Sequence, residues 1–259
     1  MNFGVQTFTI RKAQKKSIRD AFLPLIEMGV KRFEVARIEF TEENARELSE
    51  LVKEYGIEIV SLQVKPKKVF LHFDEVVDFA HKVGSPSVVI SQLPFSCVLR
   101  KEKKFFEWIA TLDEWYDRYE KEGIVLAYHH HHWEYVTLST GKTRMQELLS
   151  RTQKIKFVHD TYWTTKCGFS SVAQMREFGS RLLGVHLRDM TLYKKGINVL
   201  SRDCAVGDGM IDFSAVCSEA ERAGASYLVI EQKTKTPYTE LRKSFAVLNT
   251  LPISTEQKE

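Results

Sequence analysis

One step recurs along the chain: an amphipathic helical stretch, a glycine, then a short apolar run. Gly29, Gly56, Gly84, Gly123 and Gly224 each close a helical pattern and precede a strand pattern, where a left-handed C-cap is wanted. A repeated helix–glycine–strand step is the mark of βα units laid side by side in a parallel sheet. Strand patterns fall at Phe3–Thr7, Arg32–Val35, Ile57–Leu62, Ser87–Ile90, Ile124–His129, Ile155–Asp160, Leu182–Leu187 and Tyr227–Glu231. Helical patterns lie between them at Ile18–Met28, Thr41–Tyr55, Phe73–Val83, Lys101–Glu122, Lys142–Ser150, Ser171–Phe178 and Ile211–Ala223, and Thr239–Leu248 follows the last strand. Eight such units in 259 residues is the size of a (β/α)8 barrel. No glycine fingerprint follows the first strand, as it would in a dinucleotide-binding open sheet. The expected fold is therefore α/β, a (β/α)8 TIM barrel, in a single domain over residues 1–259. The stretch Gly196–Gly209 is the longest irregular part of the pattern and is expected to form a loop over the active face.

Composition bounds the partners. The net charge of +4, from 38 basic and 34 acidic residues, is a mild excess, and no basic block with interleaved aromatics marks a nucleic-acid surface. The four cysteines form no CxxC pair and fit reduced thiols. The first residues lack a basic region followed by an apolar one, and no apolar run approaches the ~20 residues of a membrane span. These features predict a cytoplasmic protein with a small-molecule partner, acting on neither nucleic acid nor membrane.

Barrels build their active sites from the carboxyl ends of the strands. The fifth strand pattern runs into Tyr128-His129-His130-His131-His132-Trp133-Glu134, which holds half of the eight histidines of the chain. Alternation sends His129 and His131 to one face and His130 and His132 to the other. The sixth strand ends at Asp160, the seventh passes through His186 to Arg188, and the eighth ends at Glu231. Two carboxylates and an imidazole from three consecutive strands, with a fourth ligand from strand five, make a mixed oxygen–nitrogen site for a catalytic divalent ion. Gly207 and Gly209 form only a lone Gly-x-Gly, which fits a tight turn better than a phosphate loop.

These residues also carry a resemblance. Tyr128–Tyr135 resembles the Tyr-His-Asn-His-Asp-Phe-Glu-Phe element of the sugar phosphate isomerase/epimerase superfamily, the xylose isomerase-like barrels. Asp160-Thr161-Tyr162-Trp163, His186-Leu187-Arg188-Asp189-Met190, the segment from Val206 to Phe213 and the pair Glu231-Gln232 resemble further motifs of that superfamily, in the same order. Gly4-Val5-Gln6 with Arg11 resembles its opening strand. The resemblance implies one divalent metal, Mn²⁺ first, with Co²⁺, Zn²⁺ or Mg²⁺ as alternatives. The ligands it implies are Asp160, His186 and Glu231, with Glu134 favoured and His129 the alternative on strand five. It implies a sugar isomerase or epimerase that moves a proton beside the carbonyl of a sugar or keto-sugar. Glu134 and Glu231 are then the acid–base pair, and His129 and His131 shuttle protons or bind hydroxyls. Arg11, Arg188 and Trp163 contact the substrate. Relatives of this kind are often dimers or tetramers, so the resemblance is compatible with a homo-oligomer. Arg188 departs from the usual lysine, keeping the cation but removing a titratable amine.

Three rivals share the barrel. Inosose dehydratases and 3-keto-sugar lyases begin with the same proton abstraction and then eliminate. The apurinic endonucleases of the superfamily need additional histidines for three zinc ions, where this chain has Gln63, Gln92 and Trp163. A non-catalytic sugar-binding barrel would have lost a ligand position, and none is lost here.

Overall fold

The computed structural model describes residues 3–99 and 102–251. In chain order the strands are β1 (Phe3–Gln6), β2 (Arg32–Ala36), β3 (Glu58–Val64), β4 (Ser87–Ile90), β5 (Val125–His129), β6 (Lys156–Asp160), β7 (Leu182–Leu187), β8 (Asp189–Lys195), β9 (Asn198–Cys204) and β10 (Tyr227–Ile230). All but β8 and β9 are parallel and close into a barrel in the order β1-β10-β7-β6-β5-β4-β3-β2. Helices between the strands cover the outside. The five glycines that end helical patterns all have left-handed backbones, with φ between 61° and 89°.

Two expected elements differ. The long helix Lys101–Glu122 is two helices, Glu102–Ile109 and Leu112–Lys121; residue 101 lies outside the described residues. Between them the Thr111 hydroxyl donates to the Trp108 carbonyl at 2.8 Å, drawing the chain out of the helical ladder. Most of the stretch Gly196–Gly209 is not an irregular loop. It contains β9, which pairs with β8 from Asp189↔Cys204 to Lys195↔Asn198 around a tight turn with Gly196 at φ 63°. This hairpin is a two-stranded sheet separate from the barrel and buries no continuous apolar face, so no alternating pattern marks it.

Alternation sorts the barrel strands into two cores. Outward residues such as Leu126, Phe157, Val185, Leu228 and Ile230 pack beneath the helices. Inward, Val89, Ala127, Val158, Tyr227 and Val229 form a small dry plug. Two residues further along each strand the side chain faces inward again. From Ala127, Val158 and Val229 that step leads to His129, Asp160 and Glu231. The plug thus sets the floor on which the polar groups stand. Register agrees, since Asp160 pairs with His186 and His186 with Val229.

Gly184 makes room within the plug. A Cβ there would run into the ring of Tyr227. Gly184→Ala should therefore lower stability by about 1–3 kcal/mol through overpacking. The check is a urea titration, in which the midpoint falls while the slope stays constant. An unchanged midpoint would show that the Tyr227 ring moves aside freely.

Candidate metal centre

His129, Asp160, His186 and Glu231 are all buried, and one donor atom from each lies within 4.8 Å of all the others. Each donor is aimed by a bond on its far side. His129 Nδ1 donates to the Ser91 carbonyl at 3.3 Å, which turns Nε2 toward Asp160 Oδ2 at 3.4 Å. Asp160 is the N-cap of the helix Thr161–Lys166, so its Oδ1 accepts the Trp163 amide at 2.9 Å and Oδ2 faces the centre. His186 Nε2 donates to Glu34 Oε1 at 2.7 Å, leaving Nδ1 3.0 Å from Glu231 Oε2 and 4.0 Å from Asp160 Oδ2. That Nδ1 is buried and makes no hydrogen bond. An orphaned imidazole nitrogen, a second imidazole and two carboxylates converging on one point form a donor set that fits a divalent ion.

Charge compensation surrounds the centre. Glu34 is fully buried and accepts from Ser61 Oγ at 2.6 Å and Tyr227 Oη at 2.7 Å as well as from His186. Burial pushes its carboxyl up, but His186 and these donors hold it below its ordinary value. Burial opposes a charge on His186, yet Glu34 and Glu231 raise it to about 10. Arg188 Nη1 donates to Asp160 Oδ2 at 3.1 Å and to Glu231 Oε1 at 3.0 Å, while its Nη2 donates to Asp203 Oδ1 at 2.8 Å. Against burial, Arg188 and His186 hold Glu231 down to about 2. Arg188 likewise leads the groups that keep Asp160 well below the carboxylate range despite its burial.

The histidine run divides as its parity requires. His130 points outward; its Nε2 accepts the Asp160 amide at 3.0 Å and lies 3.3 Å from His159 Nδ1. It pins the end of β6, and burial keeps it neutral. His131 turns inward to the cavity wall, with ring centroids 4.8 Å from His129 and 5.4 Å from Trp163. Burial holds its pKa well below the ordinary value. His132 packs on Trp133 and Trp163, at 4.9 and 5.0 Å.

A cavity of about 660 Å³ opens over the centre, walled by His129, His131, Tyr162, Trp163, Arg188 and Glu231 among others. The sequence profile of the xylose isomerase-like TIM barrels matches residues 23–251. The chain belongs to that family. Solved structures with the same fold include a sugar phosphate isomerase/epimerase from Parabacteroides distasonis, with TM-score 0.80 and 20% identity over 97% of this chain and 94% of that one. The probable 3-DHS dehydratase AsbF from Bacillus anthracis superposes with TM-score 0.72 and 12% identity over 96% and 99%. The IolI protein with a bound zinc atom gives 0.67 and 15% over 96% of each chain. No curated protein matches the sequence significantly.

Within this xylose isomerase-like barrel, His129, Asp160, His186 and Glu231 come together, and His131, Trp163 and Arg188 line the same cavity. Glu134 does not join them. Its carboxylate is taken by the Tyr128 hydroxyl and by the His131 amide, the latter at 2.8 Å, so it closes the turn after β5. Burial raises its pKa. Arg11 lines a neighbouring groove, with Nη1 on the Phe8 carbonyl at 2.7 Å. The amides of Gly207 and Gly209 both donate to Asp189 Oδ2 at 2.9 Å, so this loop is a turn wrapped on a carboxylate. A Cβ at Gly209 would collide with that carboxylate. Sequence reasoning missed Glu34, although an acid between Phe33 and Val35 on a barrel strand was a usable signal. It also missed Asp203, which only the unrecognised hairpin brings to the site. Among the described residues no helix is long and apolar enough to cross a membrane.

Glu34→Ala should cost about 3–5 kcal/mol of stability, because it removes one partner of a buried pair and leaves His186 Nε2 without its acceptor in the barrel interior. Tyr227→Phe, which removes one donor to a buried carboxylate, should cost less, about 1.5–3 kcal/mol. Denaturant midpoints of the metal-free proteins check both. A Glu34→Ala protein as stable as the wild type would remove this pair from the account of the core.

Proposed function

We propose that the chain is a divalent-metal-dependent sugar isomerase or epimerase that moves a proton at a carbon next to a carbonyl. The observation that carries this reading is the convergence of four donors, from the ends of neighbouring strands, at the floor of a cavity of substrate size. His129, Asp160, His186 and Glu231 would hold the ion. Bound there, a divalent ion polarises a carbonyl oxygen and offsets the negative charge that develops as the adjacent proton leaves. Glu231, kept ionised beside Arg188, is the base. His131, kept neutral by burial, relays a proton or holds a hydroxyl on the opposite wall. Tyr162 and Trp163 offer aromatic faces to a sugar ring, and Arg188 fixes the two ligand carboxylates relative to each other.

One observation favours a second reading. Returning a proton to the other face of the carbon needs an acid opposite Glu231, and His131, held neutral by burial, is a weak one. Glu134, the carboxylate expected there, is bonded to Tyr128 instead. Elimination can use a single carboxyl for both steps, Glu231 taking the proton beside the carbonyl and returning it to the departing oxygen, which leaves as water or an alcohol, so a dehydratase or lyase on an inosose or 3-keto-glycoside is the second reading.

The test has two parts. Asp160→Ala, His186→Ala and Glu231→Ala should each lose stoichiometric metal, measured by elemental analysis after dialysis, while Glu134→Gln retains it. Retention by His129→Ala together with loss in Glu134→Gln would assign the strand-five ligand to Glu134. The Mn²⁺-loaded protein is then offered keto-sugars, 3-keto-glycosides and inososes in D₂O. Exchange of the proton beside the carbonyl with recovery of an isomeric sugar supports the isomerase; exchange followed by an enone supports the lyase. A protein that holds no metal and exchanges no proton is a binding protein, and the proposal fails.

A further inference from the structure

Two guanidinium groups share one aromatic ring at the rim of the cavity. The Cζ atoms of Arg11 and Arg37 lie 3.9 and 5.6 Å from the centroid of Phe8. Among the described residues neither is ion-paired; Arg11 meets only the Phe8 carbonyl. Like charges held close together repel, and with no ion pair on either guanidinium among the described residues an anion seated between them would relieve that repulsion. Burial and the Arg37 charge both push the Arg11 guanidinium below its ordinary pKa.

Arg37 is fixed in place. It is the one described non-glycine residue with a left-handed backbone, at φ 61°. The strain is held by the preceding residue: the Ala36 amide donates to Thr7 Oγ1 at 2.8 Å, and the Ala36 carbonyl accepts from Gln14 Nε2 at 2.6 Å. Strain of this kind gathers where a side chain must be aimed. The position follows β2, on the face of the barrel that carries the donor cluster. Phe8 and Arg37 line both the central cavity and an adjoining groove of about 620 Å³, where Arg11, Lys12 and Lys15 also stand. Among the described residues Lys65 and Lys233 extend the positive rim across the cavity mouth without ion pairs, and the one carboxylate common to both spaces is Glu39. The centre beneath is already compensated by His186 and Arg188. The excess positive charge therefore belongs to the rim.

We propose that Arg11 and Arg37, gathered on Phe8, form an anion-binding subsite that takes a phosphate or carboxylate group of the substrate. This narrows the substrate class to acidic sugars, and it rests on the reading of the cavity as the substrate site. Guanidinium forks match the geometry of either anion.

The test uses the full-length protein stripped of metal, so that an added anion has no ion to ligate. Inorganic phosphate and malonate are titrated separately by calorimetry at low, constant ionic strength. Arg37→Gly, which relieves the positive φ, and Arg11→Gln should each weaken binding about tenfold, the loss expected for one charge-assisted hydrogen bond. Lys53→Gln, on an outer helix, should bind as the wild type does. Preference for phosphate points to a sugar phosphate, and preference for malonate to a sugar acid. Absence of binding to the wild type, or equal binding by all four proteins, overturns the subsite. Metal retention is measured on the same samples. Anion binding that tracks Arg11 and Arg37 in a protein unable to hold metal would leave the subsite standing and remove the metal reading; the reverse result would do the opposite.

Discussion

The barrel interior depends on one buried chain of opposite charges. Glu34 holds His186, His186 faces Glu231, and Arg188 joins Glu231 to Asp160 and Asp203. Taking any one of these charges out of water alone costs several kcal/mol. Placed in sequence, each lies beside a partner of opposite sign, and their orientations are fixed by the same bonds. The Glu34–His186 link matters most. Its acid is also tied by Ser61 on β3 and by Tyr227 at the start of β10, so it anchors the series to the wall. Gly184 contributes at one remove, because its missing side chain lets the Tyr227 ring lie where its hydroxyl reaches Glu34.

Four identical residues in a row show how far parity alone can divide labour. His129 enters the centre and His131 the cavity wall. His130 faces the outer core and spends its acceptor on the Asp160 amide, which places Asp160 from behind. His132 packs with tryptophans beyond the end of β5. A member of the donor cluster and a neutral structural acceptor are thus one residue apart. The difference lies in which side of the sheet each occupies, and in what each ring nitrogen meets there.

The eight barrel strands were legible because each buries an apolar run, and five of them, β2 to β5 and β10, also follow a glycine cap; both signals are local to the sequence. The ligand positions on β6, β7 and after β10 were legible because strand ends are where such a barrel keeps its chemistry. Glu134 is the instructive case. It is the right residue type, three residues beyond an inward position, but the chain after β5 turns into a short 3-10 segment and directs that carboxylate onto Tyr128. Nothing in the linear pattern distinguishes that turn from one that would bring it to the centre. The hairpin β8–β9 was illegible for a different reason. Its strands are largely exposed and alternate without a buried side, so neither length nor hydrophobicity marks them, and Asp203 arrived with it unannounced.

The exchange of a carboxylate for His129 at the centre alters what ion it suits. With Glu134 as donor the group would hold three carboxylates and one imidazole; with His129 it holds two of each and one negative charge fewer. Arg188 already occupies one oxygen of each remaining carboxylate. Attraction for a cation then rests less on charge and more on nitrogen donation. Ions that rely on oxygen donors, Mg²⁺ and Mn²⁺, lose more by this than Zn²⁺ or Co²⁺. The same arginine also redistributes the chemistry. A lysine at that position could lend a proton, whereas a guanidinium stays charged and acts through a rigid fork of donors. Under the proposed function, proton transfer then falls to Glu231 and His131, with Arg188 as the clamp that holds Glu231 in place.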